Sequence, residues 1–280
     1  MSTYSQPPPS EAAPQTVPLS GIQVLLVDDV PMNRDIIGAF LCAAGYSVRQ
    51  AASGQEAVRL VSDQLYVLIL MDVRMPEVDG LEATRRIRAL PAPRGLVPIL
   101  ALTARTHPNE IAQCRNAGMD GHIAKPVEYE TLIRAVAGTI AGTELGWDKD
   151  WVALPSATEK SEKYPLPRFD RAILDQTLAF LPTDEVVDHL QLLRARGEHL
   201  VKLIDQPTAP AALTDAAHAL ASAAGMFGFI ALSILLRSLE RAVANEATET
   251  PRLTQTVQHE TRAAILELDA LIGESWIQPA

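Results

Sequence analysis

Two uninterrupted apolar runs, VLLV at 24–27 and VLIL at 67–70, each leading into aspartate, constrain this chain more than any other feature. A strand that is apolar at every position has no wet face, so it belongs in a sheet covered by helices on both sides. From Gly21 to about Gly142 such short runs alternate with amphipathic stretches, the pattern of strand-helix units around a parallel sheet. Strands are expected at Ile22–Val27, Ser47–Ala51, Val67–Met71, Ile99–Leu102 and His122–Ala124. Gly45, Pro76, Gly80, Gly118 and Gly121 punctuate the connections. A sheet of this kind holds its ligands beyond the carboxyl ends of the strands, where the strand order reverses.

The second half has a different texture. Residues 143–168 lose periodicity and mix charges with prolines, as a linker does; Trp147 and Trp151 within it read as packed or semi-exposed aromatics. After Phe169 apolar residues recur only at spacings of three and four. Helices are expected after Asp170 and Thr183 as caps, then over Pro210–Met226, Phe229–Ala244 and Pro251–Leu271, forming an all-α four-helix bundle. The near-apolar stretch from Ala216 to Leu236 has membrane-spanning length, but His218, Ser222, Gly225 and Gly228 interrupt it, so it reads as two buried helices. The expected organisation is a disordered tail at 1–19, an α/β domain at 20–142, the linker, and a helical domain at 169–278.

A formal charge of -10 and no local basic patch argue against nucleic acid as a partner. The N-terminus lacks the basic and apolar regions of a secretory signal, and no membrane association is expected, so the reading is cytoplasmic. Cys42 and Cys114 have no ligand spacing and read as reduced thiols.

Three carboxylates stand at strand ends, Asp28 and Asp29 after the first and Asp72 after the third. Converging carboxylates repel one another, and they suit a hard divalent cation. Thr103 ends strand four and Lys125 ends strand five; a hydroxyl and an ammonium there can bind phosphoryl oxygens. The ordered set DD, D, MPxxDG, T and KP closely resembles the response-regulator receiver family over about 120 residues. The resemblance implies a flavodoxin-like five-stranded parallel sheet of order 2-1-3-4-5. It also implies Asp72 as phosphoacceptor, Mg²⁺ held by Asp29, Asp72 and the Arg74 carbonyl with Asp28 acting through water, Thr103 and Lys125 on the phosphoryl group, and a cis Lys125-Pro126 bond. The family places an aromatic residue three positions before the lysine, where this chain has His122; Ala104 leaves the phosphate accessible.

His218 projects from its helix among Thr214, Asp215, Ala221, Ser222 and Gly225, mostly small residues that would let a concave partner come close. The segment HALASAAGMFG resembles the histidine-phosphotransfer family, whose pattern runs approximately HxLKGSSxxLG; His218, Leu220 and Gly228 fit, and Phe227 is conservative. Ala221 replaces the usual lysine, Ser222 the glycine, and Ala223 and Ala224 the serines. The resemblance implies phosphoryl exchange at His218, with a sensor histidine kinase upstream and another receiver as a docking partner. The lost lysine favours an alternative, a receiver-gated adaptor whose bundle binds a kinase or regulator without carrying phosphate. No ATP-binding domain with a glycine-rich lid is visible, so the protein is not expected to be a kinase. His189, His199 and His259 read as solvated helix residues, and His107 as a loop residue.

Overall fold

A computed structural model describes residues 23–103, 108–142, 168–206 and 208–273. The expectations for the 1–19 tail, Ala104, His107, Trp147 and Trp151 lie outside these residues. Five parallel strands, β1 (Gln23–Val27), β2 (Ser47–Ala51), β3 (Leu68–Asp72), β4 (Ile99–Thr103) and β5 (Gly121–Ala124), pair in the order β2-β1-β3-β4-β5. The order reverses between β1 and β3, which opens a crevice beyond their carboxyl ends.

The continuous apolar strands are filled on both faces. Val24, Leu26, Leu68, Leu70, Leu100 and Leu102 point to one side, against α1 (Pro31–Ala43) and α5 (Tyr129–Ile140). Leu25, Val27, Ile69, Met71, Ile99 and Ala101 point to the other, against α2 (Gly54–Asp63), α3 (Gly80–Arg88) and α4 (Pro108–Ala117). Local chemistry starts these helices. Ser53 caps α2 by accepting from the Glu56 N–H, and Asp79 caps α3 by accepting from Glu82.

The C-terminal region is helical: α6 (Arg171–Leu178), α7 (Thr183–Asp205), α8 (Pro210–Met226), α9 (Ile230–Ala244) and α10 (Thr250–Gly273). The last four pack in a ring, each against the next and α10 back against α7. Asp170 caps α6 through the Ala172 N–H. Thr183 is not a cap; it is the first helical residue, Pro182 holds the cap position, and no side chain bonds there. The apolar stretch breaks at Gly228 (φ 88°) between α8 and α9, and no described helix is long and apolar enough to cross a membrane.

Cys42 is exposed and Cys114 is buried, with burial pushing the Cys114 thiol up to about 11. A thiol-specific disulfide reagent at about pH 8 is expected to titrate Cys42 quickly and Cys114 only in denaturant. Two equally fast thiols would contradict the packing of α4.

Candidate functional site

Asp28 and Asp29 are neighbours in sequence, and the pairing of β1 with β3 brings Asp72 to them. Asp28 follows β1 and is fully buried, with Oδ1 accepting from the Val30 N–H (2.9 Å) and from Asn33 Nδ2 (3.0 Å). Asp72 ends β3 beside it. Lys125 reaches from the end of β5 and donates to both, to Asp28 Oδ2 at 2.7 Å and to Asp72 Oδ2 at 2.6 Å. The Lys125-Pro126 peptide is cis, as is Ala92-Pro93, which the sequence did not signal. Thr103 lines the same crevice from β4, and the Lys125 N–H donates to its carbonyl at 2.7 Å. His122, at the position where an aromatic ring was noted as usual, is buried, and burial lowers its pKa.

The turn after β3 explains the glycine of MPxxDG. A Cβ at Gly80 would stand 2.0 Å from the Asp72 carbonyl oxygen and 3.0 Å from the Val73 Cα, so α3 can begin hard against the strand end only with glycine there. Its N–H donates to the Val73 carbonyl at 3.0 Å, and the Arg74 N–H donates to Asp72 Oδ1 at 3.3 Å.

Burial acts on these charges in opposite senses. Desolvation raises the carboxyl pKa values of Asp28 and Asp29, and neighbouring carboxylates push the same way. Desolvation alone would lower Lys125, but Asp28 and Asp72 outweigh it and its pKa is raised. Lys125 is therefore a fixed cation between two carboxylates. Asp28 has its oxygens engaged by protein donors, whereas Asp29 Oδ1 is buried without a hydrogen-bond partner among the described residues. A carboxylate oxygen left so, beside Asp72, suits an oxygen-seeking divalent cation.

The structure corrects the expected exposure of His218. Its side chain is 17% exposed, because the surface of α8 is covered by the chain's own α/β unit. Ligand atoms of Asp29, Asp72 and His218 lie within 4.8 Å of one another. His218 Nδ1 faces Glu240 Oε1 at 3.4 Å, and Nε2 has no hydrogen-bond partner among the described residues. Burial pulls the imidazole pKa down, but the Glu240 bond and the Glu240 and Asp72 charges prevail, so it is raised. Between the two halves lies a half-open cavity of about 540 Å³, lined by Asp29, Asp72, Thr103 and Lys125 on one side and by Asp215 and His218 on the other.

The small residues noted around His218 do admit a close partner. Ala221, Ser222 and Gly225 are all buried, and a Cβ at Gly225 would lie 3.3 Å from Pro126 Cβ. Around this contact Val127 N–H donates to Met226 Sδ (3.3 Å) and Arg237 Nη1 to the Lys125 carbonyl (3.1 Å). Phe180 lies against Phe40 at 5.1 Å and stacks on Tyr129 at 4.5 Å between ring centroids. His189, expected to be solvated, instead stands 3.5 Å from Asp35 of α1 and 6.2 Å from the Phe227 ring; His199 and His259 are exposed as expected.

Glu240 was missed by sequence reasoning. Fully buried at the foot of α9, it takes a 2.6 Å ion pair from Arg74 Nη1 as well as the His218 contact. A buried glutamate in a leucine-rich helix is a sequence signal, but its partners lie far away along the chain. The Arg74 side chain and Asn33 were likewise unassigned.

Residues 24–137 match the family described as response regulator receiver domain. These residues are a receiver domain. Over 247 residues, 87% of this chain, the sequence is 29% identical to the sensor histidine kinase AruS of Pseudomonas aeruginosa, covering 23% of that protein. Probable histidine kinase 2 of Oryza sativa subsp. indica is 36% identical over 140 residues, 45% of this chain and 13% of that protein. The chain thus spans less than a quarter of these curated relatives. A solved receiver domain of a Pseudomonas aeruginosa sensor histidine kinase, described with a magnesium ion in its active site cleft, is 43% identical, covering 43% of this chain and 98% of that one, with a TM-score of 0.41. In the present chain the receiver domain's acidic cleft is the one that His218 overhangs.

Proposed function

We propose that this chain is a cytoplasmic phosphorelay protein of two-component signalling, in which Asp72 accepts a phosphoryl group originating from a sensor histidine kinase and exchanges it with His218 of the same chain. The division proposed is a receiver domain over 20–142, a linker at 143–168, and a histidine-phosphotransfer-like bundle over 169–278, which could also serve another receiver. One observation carries this reading: a ring nitrogen of His218 lies within 4.8 Å of carboxylate oxygens of Asp72 and Asp29, and its Nε2 has no hydrogen-bond partner among the described residues.

Asp29, Asp72 and the Arg74 carbonyl would hold Mg²⁺, with Asp28 acting through water; when bound, the ion offsets charge on the phosphoryl oxygens. Lys125 and Thr103 are placed to bind those oxygens. From the aspartyl phosphate, the Nε2 lone pair attacks phosphorus, the N–P bond forms as the P–O bond breaks, and the electron pair returns to the Asp72 carboxylate. The proton on Nδ1 stays in place facing Glu240, whose charge balances the cationic ring. Glu240 is thus a positioning residue. The usual lysine would be out of place at Ala221, which is only 1% exposed, so a cation there would be buried.

Phosphoramidate-treated protein is expected to carry both acid-labile phosphohistidine and base-labile aspartyl phosphate. His218→Gln should lose only the first and Asp72→Asn only the second. Aspartyl phosphate alone in the wild type, with His218→Gln signalling normally, would replace the relay by the adaptor reading that Ala221 favours.

A further inference from the structure

The same contacts that bring His218 to Asp72 leave little room for any other protein. Asp72 is 2% exposed and Lys125 6%, and the approach to them from outside is occupied by α8. A phosphohistidine on a separate protein must arrive on a helix roughly 10 Å across, and only α8 can occupy that space while docked. The cover is held at several separated points, among them Gly225 on Pro126, Phe180 against Phe40 and Tyr129, and Arg74 on Glu240. Yet the cavity of about 540 Å³ beneath remains large compared with a phosphoryl donor of a few heavy atoms, and Lys125 and Thr103 line it.

We infer that the docked helical region selects phosphoryl donors by size: small acyl phosphates and the chain's own His218 reach Asp72, whereas a phosphohistidine borne by another protein reaches it only after the helices lift away. With acetyl phosphate, an Asp72 carboxylate oxygen attacks phosphorus, the bond from phosphorus to the acetyl oxygen breaks, and acetate leaves with the electron pair. A kinase then acts on the fraction of molecules that is open, and its apparent rate scales with that fraction. This inference rests on Asp72 as acceptor but not on the relay through His218.

The test uses the full chain carrying His218→Gln, which removes internal transfer, alone and combined with Gly225→Leu or Phe180→Ala to loosen the cover. Aspartyl phosphate formation is followed with acetyl phosphate and with a panel of autophosphorylated sensor kinase cores. Acetyl phosphate is expected to label all three proteins within about twofold, while the kinase cores label the two loosened variants roughly tenfold faster or more. Equal kinase rates in covered and loosened proteins would overturn the inference. So would a panel in which no core labels either loosened variant that acetyl phosphate does label. If acetyl phosphate labels none of the three, the acceptor assignment itself is lost, and the inference with it; absence of phosphohistidine in the wild type counts only against the relay.

Discussion

Lys125→Met is expected to destabilise the folded chain by about 3–5 kcal/mol, the range for removing one partner of a buried ion pair. The methionine keeps much of the side-chain volume, so the loss is chiefly electrostatic. In the wild type one ammonium lies 2.7 Å from Asp28 and 2.6 Å from Asp72, and both carboxylates are buried. Without it, two buried carboxylates face each other with no cation between them. They can regain balance by taking up a proton or a divalent ion. Because Asp28 is already held above its ordinary 3.8, the folded state binds its proton first, and this group's contribution to stability falls as pH climbs through the window from 3.8 to the raised value. The variant should widen that window, so its deficit should shrink on acidification and on adding Mg²⁺. Urea denaturation at two pH values, with and without the ion, checks this. A midpoint unmoved by the substitution, or a deficit indifferent to both proton and ion, would show that Lys125 does not neutralise the cluster.

Gly80→Ala is expected to cost about 3 kcal/mol, at the upper end of overpacking effects, although alanine is the better helix former by about 1 kcal/mol. The added methyl would meet the Asp72 carbonyl oxygen at 2.0 Å and its carbon at 2.9 Å. Those are backbone atoms in the middle of the sheet. Relief must come from shifting α3 or the end of β3, and either displaces the carboxylate that Lys125 holds. A denaturation midpoint at or above that of the wild type would mean that the approach of α3 to the strand is looser than described.

The sheet and its acidic crevice were legible in the sequence because their causes are local. VLLV and the LIL of VLIL have no polar face to offer water, so they fall in the centre while Val67 stays exposed before β3, and a parallel sheet then carries Asp28, Asp72, Thr103 and Lys125 to one edge whatever the loops do. Pro210 and Gly228 similarly bracket α8 by backbone chemistry alone. The burial of His218 was not legible. Its small neighbours signalled that something approaches closely, but periodicity describes one helix at a time and cannot say that the approaching surface is Pro126 of the same chain. Glu240 and Arg74, separated by 166 positions, meet only because the two halves pack together, and His189 leaves solvent for the same reason.

The apolar cluster on the α1 and α5 side of the sheet continues without interruption, from Val24 through Phe40 and Leu132 to Leu220 and Leu271. That cluster takes in buried residues of both halves, so melting one half strips apolar cover from the other. Free energy released by an ion seated among the aspartates is therefore shared along the whole length of the molecule, and the far turn of α10 resists heat partly on the strength of what is held at the opposite end of the sheet.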